Sequence, residues 1–108
     1  SNRAGARATS MSAILKSSLT HHKFRPMNVS DLDAVMEIEP HIYSHPWTRG
    51  NFSDSLNSGY SAWVLENDRE MIGYALLMMV MDEAHLLNLS IAKAYQKQGF
   101  GRLLLEHM

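Results

Sequence analysis

The chain of 108 residues contains no cysteine. Disulfides, thiolate metal sites and a cysteine nucleophile are therefore excluded together, and we expect a protein of the reducing cytoplasm. Ten basic side chains are nearly balanced by eleven acidic ones, which leaves a net charge of −1. Binding to nucleic acid or to an anionic membrane would need clustered lysine and arginine, so neither partner is expected.

Long apolar runs are also missing. The longest, from Tyr74 to Met81, has the length of a strand, whereas a membrane-spanning helix needs about 20 residues. The histidines do not show the spacing of metal ligands, so no metal is expected. Hydrophobic residues make up 45% of the chain and charged residues 19%, which indicates an ordinary folded domain.

The first 22 residues carry little pattern. The first ten are small and polar and precede Met11, and the following ones are only weakly amphipathic. We interpret residues 1–22 as a tag remnant or disordered leader, and residues 23–108 as part of a single domain.

From residue 23 onwards the pattern predicts strand, helix, helix, three antiparallel strands, a loop and a helix. Phe24–Met27 has the composition of a short strand, and Ser30 is expected to cap a helix that stops at Pro40. Thr48 is expected to cap a second helix, which runs to about Leu56. The three later strands are predicted at residues 61–66, 70–81 and 84–92, and the last helix at residues 99–108.

Details within these elements give further expectations. Gly73 indicates a bulge or the close approach of another backbone. The methionines of the long run, Met78, Met79 and Met81, are expected to fill the core. In the last strand, His85, Leu87, Leu89 and Ile91 are expected on one face. The final helix reaches residue 108 without a capping glycine, so we expect the chain to be cut within an element.

The segment from Asn88 to Glu106 has the pattern of an anion site. An apolar strand is followed by the run Gln96-Lys97-Gln98-Gly99-Phe100-Gly101-Arg102, which opens an apolar helix. The first amides of a helix lack internal partners, and the helix dipole is positive at that end. Backbone donors can therefore hold a pyrophosphate there, while the glycines permit close approach and Lys97 and Arg102 add positive charge.

Two other phosphate-binding motifs fail on spacing. A Walker loop requires Gly-Lys-Ser/Thr at its end, but Gly101 is followed by Arg102 and Leu103. A dinucleotide fingerprint requires a third glycine where this chain has Leu104. Neither motif is therefore supported.

The run Gln96-x-x-Gly99-x-Gly101 after an apolar strand resembles the signature of the GNAT acetyltransferases, whose loop wraps the pyrophosphate of acetyl-coenzyme A. Almost everything after His22 is similar, in order and spacing, to the ribosomal-protein-alanine N-acetyltransferases of that family. The matching segments are Phe24-Arg25-Pro26, the acidic helix from Ser30, Pro46-Trp47, the Gly73-Tyr74 strand, Asp82-Glu83-Ala84, Asn88 and Tyr95. The resemblance implies a truncated α/β fold of the GNAT type, with a mixed, mostly antiparallel sheet and flanking helices.

The resemblance also implies acetyl-coenzyme A as co-substrate and assigns its site. The strand before the loop would offer backbone groups to the pantetheine arm at Leu89, Ser90 and Ile91. The loop and the first helical turn would bind at Gln96, Lys97, Gln98, Gly99, Phe100, Gly101 and Arg102. The family's glutamate base and tyrosine acid would both lie beyond Met108, so the chain alone is not expected to turn over.

The implied reaction is acetyl transfer to the N-terminal amine of a protein, specifically an alanine-starting ribosomal protein. Two alternatives stay open: a GNAT enzyme for a small-molecule amine or lysine, and a non-catalytic half-domain that binds acyl-coenzyme A. Pro46 and Trp47 would either line the peptide groove or pack over the core. The strand at residues 84–92 is expected to be an exposed sheet edge, through which the chain could dimerise.

Overall fold

The computed structural model describes residues 22–108. Four antiparallel strands form one sheet in the order β1-β2-β3-β4. The strands are β1 His22–Pro26, β2 Ser61–Asn67, β3 Glu70–Val80 and β4 Glu83–Ile91, and the helices are α1 Leu32–Ile42, α2 Arg49–Asn57 and α3 Phe100–His107. The predicted order of elements is confirmed. Residues 1–21 of the predicted leader lie outside the described residues, and its last residue, His22, begins β1.

The sheet carries helices on both faces. On one face α1 and α2 enclose a cluster that includes Tyr74 and Leu76, and on the other α3 packs against a cluster that includes Ala75 and Leu104. Successive residues of a strand point to opposite faces, so β3 is buried on both sides. Burial on both sides explains why its sequence reads as a nearly continuous apolar run. None of the helices in residues 22–108 is long and apolar enough to cross a membrane.

Gly73 lies where β3 and β4 approach closely, as predicted. A Cβ built on Gly73 would lie 2.5 Å from Ile91 Cδ1 and 2.6 Å from the Ser90 carbonyl oxygen. The isoleucine side chain can move, but the backbone oxygen is fixed in the sheet. Only glycine fits this position without a shift of β4.

Replacing Gly73 with alanine is therefore expected to lower the free energy of unfolding by about 1–3 kcal/mol, the usual effect of overpacking. Chemical denaturation followed by circular dichroism measures this change. Gly50→Ala is the matched control, because its new Cβ would meet only Thr48 Oγ1 at 3.7 Å and would favour the helix. Equal stability of the two variants would contradict the close approach at Gly73.

Two predicted helix boundaries are wrong. Asn28, not Ser30, provides the first cap: its side chain accepts from the Ser30 amide in a 3-10 turn, and Asp31 accepts in return from the Asn28 amide. Asparagine caps as well as serine does, so residue type alone could not choose between them. Pro40 lies inside α1. It removes only one hydrogen bond so close to the helix end, and the helix continues to Ile42.

The cap of the second helix is confirmed. Thr48 Oγ1 accepts from the Asn51 amide at 3.1 Å, and Asn51 Oδ1 accepts from the Thr48 amide at 3.0 Å. This reciprocal pair fixes the start of α2 and, with it, the end of the loop that joins α1 to α2.

The far end of the β3–β4 hairpin departs from the prediction. Met79 and Met81 are 60% and 94% exposed, so these two methionines do not fill the core. A register shift places Leu77 opposite Leu86 and Leu76 opposite Asn88, which leaves Leu87 as the extra residue of a bulge. Leu87 therefore packs with the cluster under α1 and α2, whereas Leu89 packs with the cluster under α3. The predicted common face of β4 is wrong because the bulge interrupts its alternation.

Candidate functional site

The loop between β4 and α3 contains two residues with left-handed backbone. Lys97 has a φ of 65° and Gly99 a φ of 87°. Gly99 is the N-cap of α3, and no side chain accepts a hydrogen bond at this cap. The amides of residues 100–102 therefore have no acceptor within the helix and are available to a ligand.

The start of α3 favours an anion. Its first turn contains no acidic residue, and the side chains of Lys97 and Arg102 are exposed beside it. Arg102 Nε lies 3.2 Å from Glu106 Oε2, in a pair exposed to solvent on both sides. Such a surface pair contributes little stability, so a phosphate group can compete for the arginine.

Phe100 and Gly101 join this loop to the body of the domain. The Phe100 side chain is only 3% exposed and packs between α3 and the sheet. A Cβ built on Gly101 would lie 3.7 Å from Ile91 Cγ1, which puts the first turn of α3 directly against β4. Of the predicted loop residues, Phe100 can thus offer a ligand its main chain but not its buried ring.

β4 is the last strand of the sheet in residues 22–108, so one of its edges lacks a neighbouring strand there. The Ala92 amide donates to the Ile72 carbonyl at 2.8 Å, so the main-chain groups of Ala92 point towards β3. Along β4, the main-chain groups of successive residues point alternately towards β3 and towards the outer edge. Ser90 pairs with Tyr74 and directs its main chain towards β3. The main-chain groups of Leu89 and Ile91 consequently point to the outer edge.

The two outward carbonyls are already occupied. Tyr43 Oη donates to the Leu89 carbonyl at 2.9 Å, and Gln96 Nε2 donates to the Ile91 carbonyl at 2.9 Å. The outward amides of Leu89 and Ile91 have no acceptor among residues 22–108. This stretch of edge therefore presents hydrogen-bond donors.

A cavity of about 350 Å³ opens beside this edge, between the end of α1, the loop at residues 43–48 and β4. Trp47 lines the cavity, and its ring also contacts the Phe52 ring at a centroid distance of 5.1 Å. Trp47 thus packs over the core, which is one of the two predicted alternatives, and it also lines this cavity. Four consecutive residues of β4, Leu86 to Leu89, form one wall, and Glu39 of α1 also lines the cavity.

A buried polar network at the inner wall of the cavity was not found from the sequence. Glu39, only 1% exposed, accepts from Tyr74 Oη at 2.6 Å and from the Trp47 amide at 3.0 Å, and Asn88 Nδ2 lies 3.4 Å away. Burial, together with the hydrogen bond to Glu39, raises the pKa of Tyr74 well above its ordinary value. One signal was available: Glu39 continues the buried helical spacing of Leu32 and Val35.

Residues 22–108 hold no cluster of three or more side chains suited to a metal ion. The candidate site consists of backbone donors and the positively charged side chains of Lys97 and Arg102, with a polar cavity beside it. Strand edge, a loop with a 3-10 turn at Lys93–Tyr95, and helix start follow one another along the chain from residue 89 to residue 102.

The arrangement defines a class of protein. Residues 32–108 match the acetyltransferase (GNAT) family, and the chain belongs to that family. The predicted fold and family are thereby confirmed.

Among curated proteins, the chain is 34% identical over 82 residues to the [ribosomal protein bS18]-alanine N-acetyltransferase of Escherichia coli (strain K12). This match covers 76% of the chain and 55% of that protein, so the chain spans about half the length of the curated relatives it matches. The crystal structure of the Escherichia coli ribosomal-protein-S18-alanine N-acetyltransferase superposes with a TM-score of 0.74 at 32% identity, over 80% of the chain and 56% of that structure. The PaiA N-acetyltransferase of Thermoplasma acidophilum, solved with coenzyme A, shares the fold, with a TM-score of 0.68 at 18% identity over 80% and 68% of the two chains.

Proposed function

We propose that this chain is the acetyl-coenzyme A binding part of a cytoplasmic enzyme that acetylates the N-terminal amine of a protein, an alanine-starting ribosomal protein. The observation that carries the proposal is a pair of neighbouring groups of free backbone donors. One group is the outward amides of Leu89 and Ile91 at the edge of β4, and the other is the amides of residues 100–102 in the first turn of α3. The similarity to the Escherichia coli enzyme supports the choice of acceptor.

The residues present fit the cofactor. The amides of residues 100–102 and the side chains of Lys97 and Arg102 would hold the pyrophosphate. The outward amides of Leu89 and Ile91 would donate to the carbonyl groups of the pantetheine arm. The main chain of Ser90 bonds to β3, so Ser90 would contribute to binding by holding Leu89 and Ile91 in place.

Gln96 and Phe100 would shape the site. The Gln96 side chain ties the loop to Ile91, and the Phe100 ring holds α3 on the sheet. Gln98 has a similar local contact, from its Nε2 to the Ala94 carbonyl at 3.3 Å. Acetyl-coenzyme A supplies the acetyl group as a thioester, and these residues would bind it and fix its direction.

The cavity beside Leu89 is the proposed place for the acceptor amine. It adjoins the strand edge that would carry the pantetheine arm, so an amine bound there would lie near the end of that arm. Placing two reactants side by side is a large part of what such an enzyme contributes to the rate.

Titration calorimetry of the chain with coenzyme A tests the first half of this proposal. We expect saturable binding with a dissociation constant of about micromolar order, weakened by salt because phosphates are held partly by charge. Adenosine, which lacks the pyrophosphate and the pantetheine arm, is the control ligand. Absence of coenzyme A binding by the folded chain would contradict the proposal.

The acceptor is tested on the chain saturated with coenzyme A. A peptide that starts with alanine should bind, and the same peptide with an acetylated amine should not. Preferential binding of a polyamine or of a lysine side chain would favour the small-molecule or lysine alternative. Coenzyme A binding without any acceptor binding would favour the non-catalytic half-domain.

A further inference from the structure

Glu39 connects four separate parts of the structure. It belongs to α1, and its carboxylate accepts from Tyr74 of β3 and from the Trp47 amide in the loop at residues 43–48, while Asn88 of β4 lies in weak contact. No lysine or arginine is paired with Glu39 among residues 22–108. Its carboxylate is therefore buried with only neutral donors around it.

A second line of contacts leads from Asn88 to the other end of the same loop. Ser90 Oγ lies 2.6 Å from Asn88 Oδ1 and 3.1 Å from Tyr43 Oη. Tyr43 in turn donates to the outward carbonyl of Leu89. Glu39 thus reaches the loop twice, directly at Trp47 and through side chains of β4 at Tyr43.

A buried carboxylate without a cation is unfavourable for folding, and apolar residues of similar size often serve stability better. The bulge at Leu87 lies beside Asn88, where β4 forms the wall of the cavity. Bulges next to binding sites commonly redirect side chains. The network therefore fixes the position of the loop at residues 43–48 relative to the bulge at Leu87.

We propose that Glu39 is a positioning residue that fixes the loop at residues 43–48 against β4 and so shapes the acceptor cavity. This inference rests on the proposed function, because it assigns the cavity to the acceptor. Glu39 itself forms part of the cavity wall, but it is only 1% exposed and its two oxygens are engaged by Tyr74 and the Trp47 amide, so in this scheme it does not bind the acceptor amine. It acts through Trp47 and Tyr43, which line the cavity together with Leu89.

The test compares Glu39→Gln with Glu66→Gln in the intact chain. Glutamine keeps the volume of Glu39 but has one acceptor oxygen in place of two and no charge. The hydrogen bonds to Tyr74 and to the Trp47 amide should therefore weaken, and the loop should loosen. Glu66 is also a buried carboxylate, but it lies in β2 and pairs with Arg25 at 2.8 Å, so its variant controls for lost stability.

Three quantities are measured: hydrogen exchange of the Trp47 amide, affinity for the alanine-starting peptide and affinity for coenzyme A. In Glu39→Gln we expect exchange of the Trp47 amide to accelerate by about tenfold or more, since its bond to a carboxylate oxygen is lost or replaced by a weaker bond to a neutral oxygen. Peptide affinity should fall by about tenfold while coenzyme A affinity changes by less than about twofold. Glu66→Gln should leave all three near the wild-type values.

If Glu39→Gln does not fold, Tyr74→Phe serves instead. It removes one donor to Glu39 and leaves the carboxylate in place, so a smaller acceleration at Trp47 is expected. Unchanged Trp47 exchange or unchanged peptide affinity in the variant would overturn the positioning role alone. Failure of the wild-type chain to bind coenzyme A would overturn the proposed function alone.

Discussion

Replacement of Gly99 by valine is expected to weaken coenzyme A binding by at least about tenfold while the chain stays folded. Gly99 has a φ of 87°, and a β-branched residue there is strained by about 1–3 kcal/mol. The loop can relieve this strain by rotating, which turns the amides of residues 100–102 away from the pyrophosphate. Titration calorimetry measures the loss.

Gly59→Val is the matched control for this experiment. Gly59 has a φ of 79°, and, as at Gly99, a Cβ would meet no atom within 4 Å. Both variants therefore carry similar backbone strain in open space, but Gly59 follows α2 and is not part of the glycine loop. An equal loss of coenzyme A affinity in both would mean a global effect, and no loss in Gly99→Val would exclude the loop from binding.

Replacement of Phe100 by alanine is expected to lower the free energy of unfolding by about 3–5 kcal/mol. The ring is almost fully buried and contacts the rings of His22 and Tyr95, at centroid distances of 4.9 Å and 6.0 Å. Its loss leaves a cavity between α3 and the sheet. A domain of this size is stable by only about 5–15 kcal/mol, so this substitution removes a large part of the total.

Phe100→Leu separates packing from cofactor contact. Leucine fills most of the space, so stability should fall less and coenzyme A affinity should remain near the wild-type value. Denaturant unfolding and calorimetry on the same samples measure both quantities. A Phe100→Leu variant that is stable but loses affinity would mean that the ring itself meets the cofactor.

The glycine loop could be predicted because its signals are local. Gly99 occupies a left-handed position that glycine adopts easily, and the unpaired amides at the start of α3 follow from helix geometry alone. Thr48 is similar, since both halves of its capping pair lie within three residues. In each case the residues that decide the conformation are neighbours in the chain.

Apart from the two helix boundaries, the main errors concern residues whose environment is set by distant parts of the chain. Leu87 has the apolar character of its neighbours, but the bulge that turns it to the other face depends on pairing with β3. Met81 is apolar and yet exposed, because it lies in the turn that joins β3 to β4. Glu39 was missed because its partners Tyr74 and Asn88 are 35 and 49 residues away.

The side chains of Tyr43 and Gln96 bear on whether two copies of this chain can join through β4. Two strands pair only when each amide of one meets a carbonyl of the other. At Leu89 and Ile91 the carbonyls are already bonded within the chain, so two identical edges would place amides against each other without hydrogen-bond acceptors. Pairing of two copies at this stretch would first require the hydrogen bonds from Tyr43 and Gln96 to these carbonyls to break. The dimer predicted from the exposed edge would thus have to form along the earlier part of β4. At Leu89 and Ile91, a ligand that offers carbonyl groups to the free amides binds more easily than the same edge of a second copy.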